Sequence, residues 1–319
     1  MLSYIANSDG TGIGVLAGRV AILGCRPIEL FFAAALTLPF SALPTASKAQ
    51  VAVVEEVVKV PIPLTTRSGA QSWEIVVTVF HDAGRPKSPF LVLNHGRTSN
   101  DAERTAMGRV RYSEISRYLV SLGFAVLVPT RIGYGVTGGP DVEYSGHCND
   151  RNYAPGFDAA AEETAVVLQR ARTLPYVDLS RGIVAGTSFG GMTAIKLATL
   201  QLPGLVGAVN FSGGVGGDPK GHPEKPCSPL LLDVLYRSYG AAARIPSLWL
   251  YSRNDHYWGP QLPKQWFRTY VAAGGRAQFV DLPAYGEDGH QSFAHNPEAW
   301  KPAFERFLHS LGFIVASPA

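Results

Sequence analysis

The 319-residue sequence has only three cysteines and three methionines, and only 17% of its residues are charged. Each shortage removes a class of reading. No paired-cysteine spacing and no HExxH pattern occurs, so no metal site and no cofactor is expected. Charge is nearly balanced at +3, and no basic run or aromatic-basic cluster accompanies it, which argues against a nucleic-acid partner. Internal repeats, low-complexity tracts and charged linkers are also missing, so one domain is the simpler expectation. The longest apolar stretch, Leu30 to Leu43, is too short to span a bilayer comfortably. What remains is a chain that is 46% hydrophobic, enough to bury a sizeable core.

The first fifty residues differ from the rest. Arg19 and Arg26 precede the apolar stretch, and Ser47 and Ala49 supply small residues at the −3 and −1 positions of a cleavage site, so residues 1–49 read as a signal peptide and the mature chain is expected to start near Gln50. Processing at Cys25 is the weaker alternative, because Arg19 interrupts the apolar run before it. Without the leader only Cys148 and Cys227 remain, in the loops CND and KPCSP. Two cysteines in an exported, periplasmic or secreted protein suggest one disulfide; two free thiols are the alternative. No stable membrane span is expected in the mature chain, and its oligomeric state is left open.

Eight stretches read as strands, around 51–60, 73–80, 90–93, 124–128, 183–185, 206–211, 247–251 and 277–282. Helical spacing falls at 113–122, 157–172, 261–273 and 299–311, so strands and helices alternate through the second half of the chain. That order gives an α/β class with a mostly parallel sheet. Between them lie a long loop, 129–155, and the Gly-rich segment 212–244, which is expected to form a small lid-like insertion.

The chemistry concentrates in RGIVAGTSFGGMTAIKLAT, residues 181–199. A short apolar run, a Gly-Thr-Ser-Phe-Gly turn and a helix-compatible segment follow one another, and this context turns GxSxG from a chance match into a candidate nucleophile elbow at Ser188. The competing reading makes Ser188 a helix cap. A serine hydroxyl needs a base, and the base needs an orienting acid. Catalytic groups of parallel sheets stand where strands end, which selects His290 in GEDGHQSF as base and Asp255 in YSRNDHYWG as acid. His295 competes for the first role, and Asp218, Asp233, Asp281 and Asp288 for the second. Backbone N–H groups of Phe189 and Arg97 are the candidate oxyanion donors. The Arg97 side chain is a candidate for a substrate carboxylate or for an ion pair with Asp101 or Glu103. Tyr134, Tyr153, Tyr257 and Trp258 are candidate pocket-lining residues.

Taken together and in order, NHGRT, GTSFGG, NDHYWG and GEDGHQSF resemble the dienelactone hydrolase-like branch of the α/β-hydrolases, which shades into bacterial serine esterases and prolyl-oligopeptidase-type peptidases. The resemblance covers roughly Trp73 to Leu311. It implies an α/β-hydrolase fold of about eight strands with helices on both faces, a Ser-Asp-His triad and no cofactor. Dienelactone hydrolases proper carry cysteine where this chain has Ser188, which argues against the namesake lactone reaction and toward ester or amide hydrolysis; the expectation is an exported serine hydrolase acting on a small-molecule ester. A serine aminopeptidase or amidase is the enzymatic alternative, and a non-catalytic binding protein on the same scaffold is the alternative of another class.

Overall fold

The computed structural model describes residues 51–66, 69–98 and 100–314. The expected signal peptide and Cys25 lie outside the described residues. Eight strands form one sheet in the order β1-β2-β4-β3-β5-β6-β7-β8. They are β1 (Val53–Thr66), β2 (Gly69–Asp82), β3 (Ser88–Asn94), β4 (Ala125–Thr130), β5 (Val177–Thr187), β6 (Leu205–Phe211), β7 (Ser247–Ser252) and β8 (Ala277–Leu282). β1 and β2 form an antiparallel pair, and β2 meets β4 antiparallel. From β4 through β3 to β8 every pairing is parallel. β1 is an edge strand that carries Pro61 and Pro63.

The central strands are apolar without a polar face because helices cover both sides. Alternate residues of each strand serve opposite cores. On one face Phe90, Val92, Leu127, Val184, Trp249 and Tyr251 are buried in the larger cluster. Their neighbours Leu91, Leu93, Val126, Ile183, Leu248 and Leu250 belong to the other. The larger cluster is closed by α3 (Ala154–Ala171), α4 (Phe189–Leu197), α5 (Pro229–Ala242) and α6 (Leu262–Ala272), through residues such as Phe157, Ile195, Tyr236 and Trp266. α2 (Ser113–Ser121) and α8 (Pro297–Ser310) close the second through Leu119, Trp300, Phe304 and Phe307. Two shorter helices, α1 (Asp101–Ala106) and α7 (Ser292–His295), lie in loops beyond strand ends.

The expected lid divides in two. Residues 212–228 form a loop, whereas the rest of the expected insertion is largely α5, whose Leu232, Tyr236 and Tyr239 are buried in the core. Pro229 at the first turn and the apolar spacing Leu232-Tyr236-Tyr239 make this a sheet-covering helix. Among the described residues no helix is long and apolar enough to cross a membrane.

Candidate active site

The residues selected from the sequence stand at the carboxyl ends of four strands. Asn94 closes β3 and leads to His95, Gly96 and Arg97; Thr187 closes β5 and leads to Ser188. β7 leads to Asp255, and β8 to a 3₁₀ turn, Gly289–Gln291, that holds His290.

Ser188 has φ 54° and ψ −121°, a region that costs a residue with a side chain roughly 1–3 kcal/mol. The turn around it over-determines this geometry. Its N–H donates to the Phe211 carbonyl at 2.8 Å, and its own carbonyl accepts from Gly191 at 2.9 Å and Gly214 at 3.2 Å. Its side chain makes no capping bond to α4, so the cap reading has no support in the geometry. A Cβ at Gly190 would come within 2.3 Å of the Asn94 carbonyl oxygen and 2.5 Å of that of His95, which only glycine avoids.

Asp255 is fully buried. Its Oδ1 accepts from the amides of Tyr257 at 2.9 Å and Trp258 at 3.3 Å, and its Oδ2 is 2.9 Å from His290 Nδ1. A carboxylate only accepts, so Nδ1 carries the proton and Nε2 is the ring nitrogen left to act as an acceptor. The imidazole is gripped from three sides. Tyr257 stacks on it at 3.9 Å between ring centres, and Trp258 meets it edge-on at 5.6 Å. Asp288 Oδ1 accepts from the His290 amide at 3.0 Å and the His256 amide at 2.9 Å, fixing the turn rather than the ring. Of the competing acids, Asp233 bonds Thr269 and Asp281 pairs with Lys264.

Opposite His290, the Gly96–Arg97 segment lies against the serine. A Cβ on Gly96 would be 3.2 Å from Ser188 Cβ and 3.9 Å from its Oγ. Phe189 is the first residue of α4, where an N–H has no acceptor in the preceding turn of the helix. Its ring stacks on Phe157 at 4.4 Å.

A network of buried charges that the sequence reading passed over supports the Gly96–Arg97 segment. Arg131, fully buried, donates through Nη1 to the His95 carbonyl at 2.8 Å and through Nη2 to that of Gly96 at 3.4 Å, and it pairs with buried Glu143. The Arg131 amide donates to His95 Nε2 at 3.2 Å, so His95 Nδ1 is the protonated nitrogen and donates to the Gly96 carbonyl at 2.7 Å. Burial, and then the charge of Arg131, holds the His95 pKa well below the ordinary value, so its ring stays neutral. Glu163 accepts from the Ile132 amide at 3.0 Å, and burial pushes its carboxyl up to about 8.

Three expectations are corrected by this network and its neighbours. The Arg97 side chain pairs with neither Asp101 nor Glu103. It forms a two-pronged bridge to Asp141, both contacts at 2.7 Å, and is 9% exposed. Burial alone would lower its pKa, but the Asp141 bonds outweigh this and keep it charged. Tyr134 lines neither cavity at Ser188: it is fully buried, accepts from Arg97 at 3.2 Å and donates to Glu143. Tyr153 stands behind the wall, with its hydroxyl donating to the Cys227 carbonyl at 2.6 Å. The available signal was Arg131, Asp141 and Glu143 within one Gly-rich loop, whose partners nothing in the local sequence identifies.

Two cavities meet at Ser188, Arg97 and Tyr257. The larger, about 570 Å³, includes Trp258, Phe189 and the bridged pair Cys148–Cys227, whose Cα atoms are 5.2 Å apart. The smaller, about 410 Å³, contains His290. Among the described residues, no three His, Cys, Asp or Glu side chains form a group able to hold a metal ion.

No protein-family model matches the sequence, and no curated relative matches it. Solved structures do resemble it. A candidate dienelactone hydrolase from Klebsiella pneumoniae superposes with a TM-score of 0.57 at 15% identity, covering 82% of this chain and 100% of the other. A dienelactone hydrolase-like promiscuous phosphotriesterase from metagenomic libraries gives 0.53 at 17%, with 82% and 99% covered. The acylaminoacyl peptidase of Pyrococcus horikoshii gives 0.56 at 14%, with 85% of this chain but only 44% of the peptidase covered. At such identities the likeness is one of fold.

Proposed function

We propose that this chain, which has the α/β-hydrolase fold, is a serine hydrolase that cleaves a carboxylic ester through an acyl-enzyme. The observation that carries the proposal is the buried Asp255–His290 pair opening onto the same cavity as Ser188, whose backbone is held at positive φ. In this reading His290 Nε2 takes the Ser188 proton as Oγ attacks the ester carbonyl. Asp255 fixes the tautomer and stabilises the imidazolium that forms. The amides of Arg97 and Phe189 receive the negative charge that develops on the carbonyl oxygen. As the tetrahedral intermediate collapses, His290 returns the proton to the departing alkoxide, and the alcohol leaves. Water, activated by the same imidazole, then releases the acid.

The hydrogen bonds of Arg131 to the His95 and Gly96 carbonyls support a positioning role. They fix the peptide plane on which the Arg97 N–H depends. Tyr257 lines both cavities and Trp258 the larger one. The Cys148–Cys227 bridge supports export to an oxidising compartment, in keeping with the leader read at residues 1–49.

A fluorophosphonate probe tests the assignment. Wild-type protein should be labelled at Ser188 and should hydrolyse a short p-nitrophenyl ester, and Ser188→Ala should do neither. Labelling of the variant at the wild-type rate would sink the proposal.

A further inference from the structure

The two cavities that meet at Ser188 differ in chemistry. Away from Arg97 and His290 at the centre, the smaller is walled mainly by Met107, Val110, Tyr112, Phe293 and Ala294, and its one further cation, Arg111, is neutralised by Glu55. Four basic side chains, Arg97, Arg151, His222 and Lys225, line the larger, against Asp218 as its one acid. Asp141 neutralises Arg97 at 2.7 Å, and Asp218 holds His222 at 2.9 Å. Among the described residues neither Arg151 nor Lys225 has a carboxylate partner.

Arg151 is nonetheless held in place. Its Nη1 donates to Ser145 Oγ at 3.3 Å and to the Gly146 carbonyl, and its guanidinium carbon lies 6.0 Å from the Tyr153 ring centre. Its Nε is buried without an acceptor. A fixed guanidinium that, among the described residues, has no carboxylate partner and no hydrogen bond at Nη2 favours an oxyanion, which it binds by charge-assisted hydrogen bonds. The disulfide ties the loop bearing Arg151 to the loop bearing Lys225, so this wall is assembled before anything binds.

The reaction chemistry orients the substrate. His290 gives its proton to the departing oxygen, so the alcohol half must lie on the side of His290, in the apolar cavity. The acid half then extends into the basic one. Resting on the serine-hydrolase reading above, we infer that the substrate is an ester whose acid half ends in an anionic group bound by Arg151, with Lys225 beside it, and whose alcohol half is apolar. A monoester of a dicarboxylic acid is the simplest member of that class.

Butyl hemiadipate and butyl hexanoate differ only in a terminal carboxylate or methyl on the acid chain, and a pH-stat follows both. The wild-type protein should favour the hemiadipate in kcat/KM by about tenfold or more, the order of one charge-assisted contact. Arg151→Ala should lower that ratio by about tenfold, and Arg151→Lys should retain part of it. A ratio equal in wild type and Arg151→Ala, or a wild-type preference for the hexanoate, overturns the inference. Loss of fluorophosphonate labelling at Ser188 in the wild type would instead overturn the hydrolase reading, so the two failures are distinct.

Discussion

On the His290 side of Ser188 the imidazole faces the cavity with its acid buried behind it, whereas on the Arg97 side the charged groups turn inward and neutralise one another. Asp255 uses both oxygens on one ring nitrogen and two amides, and everything it touches lies within a short stretch of loop or on His290. Arg131, Glu143, Asp141 and Arg97 instead form a chain of buried ion pairs behind a backbone segment that presents only amide groups to the serine. In the proposed mechanism the first flank moves a proton, and the second has to hold still. A mobile proton needs an exposed ring nitrogen, while a rigid peptide plane is best served by partners that water cannot loosen.

This contrast can be broken from either side. Asp255→Asn should have the largest effect, a fall in kcat of about 10³–10⁴, because an amide facing Nδ1 favours the wrong tautomer. Turnover of a short ester measures it, and a melting curve that stays near wild type shows that the loss is chemical. Arg131→Met should reverse the pattern. Removing the partner of buried Glu143 should cost roughly 3–5 kcal/mol of stability in urea titration, and the loosened Gly96–Arg97 segment should also slow acylation. If Arg131→Met slows acylation with no loss of stability, the Arg97 flank is not held by its buried charges. Glu163→Gln should give the smallest effect and sharpen the comparison by pH. The Glu163 carboxyl is raised from 4.5 to about 8, so the folded chain holds a proton that the unfolded chain releases earlier. The stability this gives is complete below about pH 4 and is lost as pH rises through about 8. Stability measured from pH 5 to 9 should fall less steeply in the variant than in wild type.

The same contrast governs what could be read in advance. All eight strands were legible from an apolar run in each, although β1 continues through Pro61 and Pro63 to Thr66 and β5 starts at Val177, ahead of its apolar run; the order of Ser188, Asp255 and His290 was legible because each follows such a run. α5 was not, since the Gly- and Pro-rich loop before it suggested an irregular lid, and its buried face appears only once Tyr236 and Tyr239 meet the sheet. Tyr134 and Tyr153 were misplaced for a related reason. An aromatic near a site looks the same in sequence whether its hydroxyl meets a ligand, as a pocket residue's would, or a buried partner such as Glu143 or the Cys227 carbonyl. Arg97 was assigned local acids, yet its partner Asp141 is 44 residues away. Ion pairs closed by tertiary structure leave no local spacing to read.

The prolines of β1 bear on how this molecule meets its own copies. An edge strand offers a row of free N–H groups on which another chain's strand can grow, but neither Pro61 nor Pro63 has one to offer. Spaced two apart, they would donate toward the same side, so that end of the sheet cannot seed a continuous ladder with a second molecule. The other end, where Val54 and Val57 are exposed, has no such guard. Any strand pairing through β1 should therefore begin at the Val53 end and stall at Pro61.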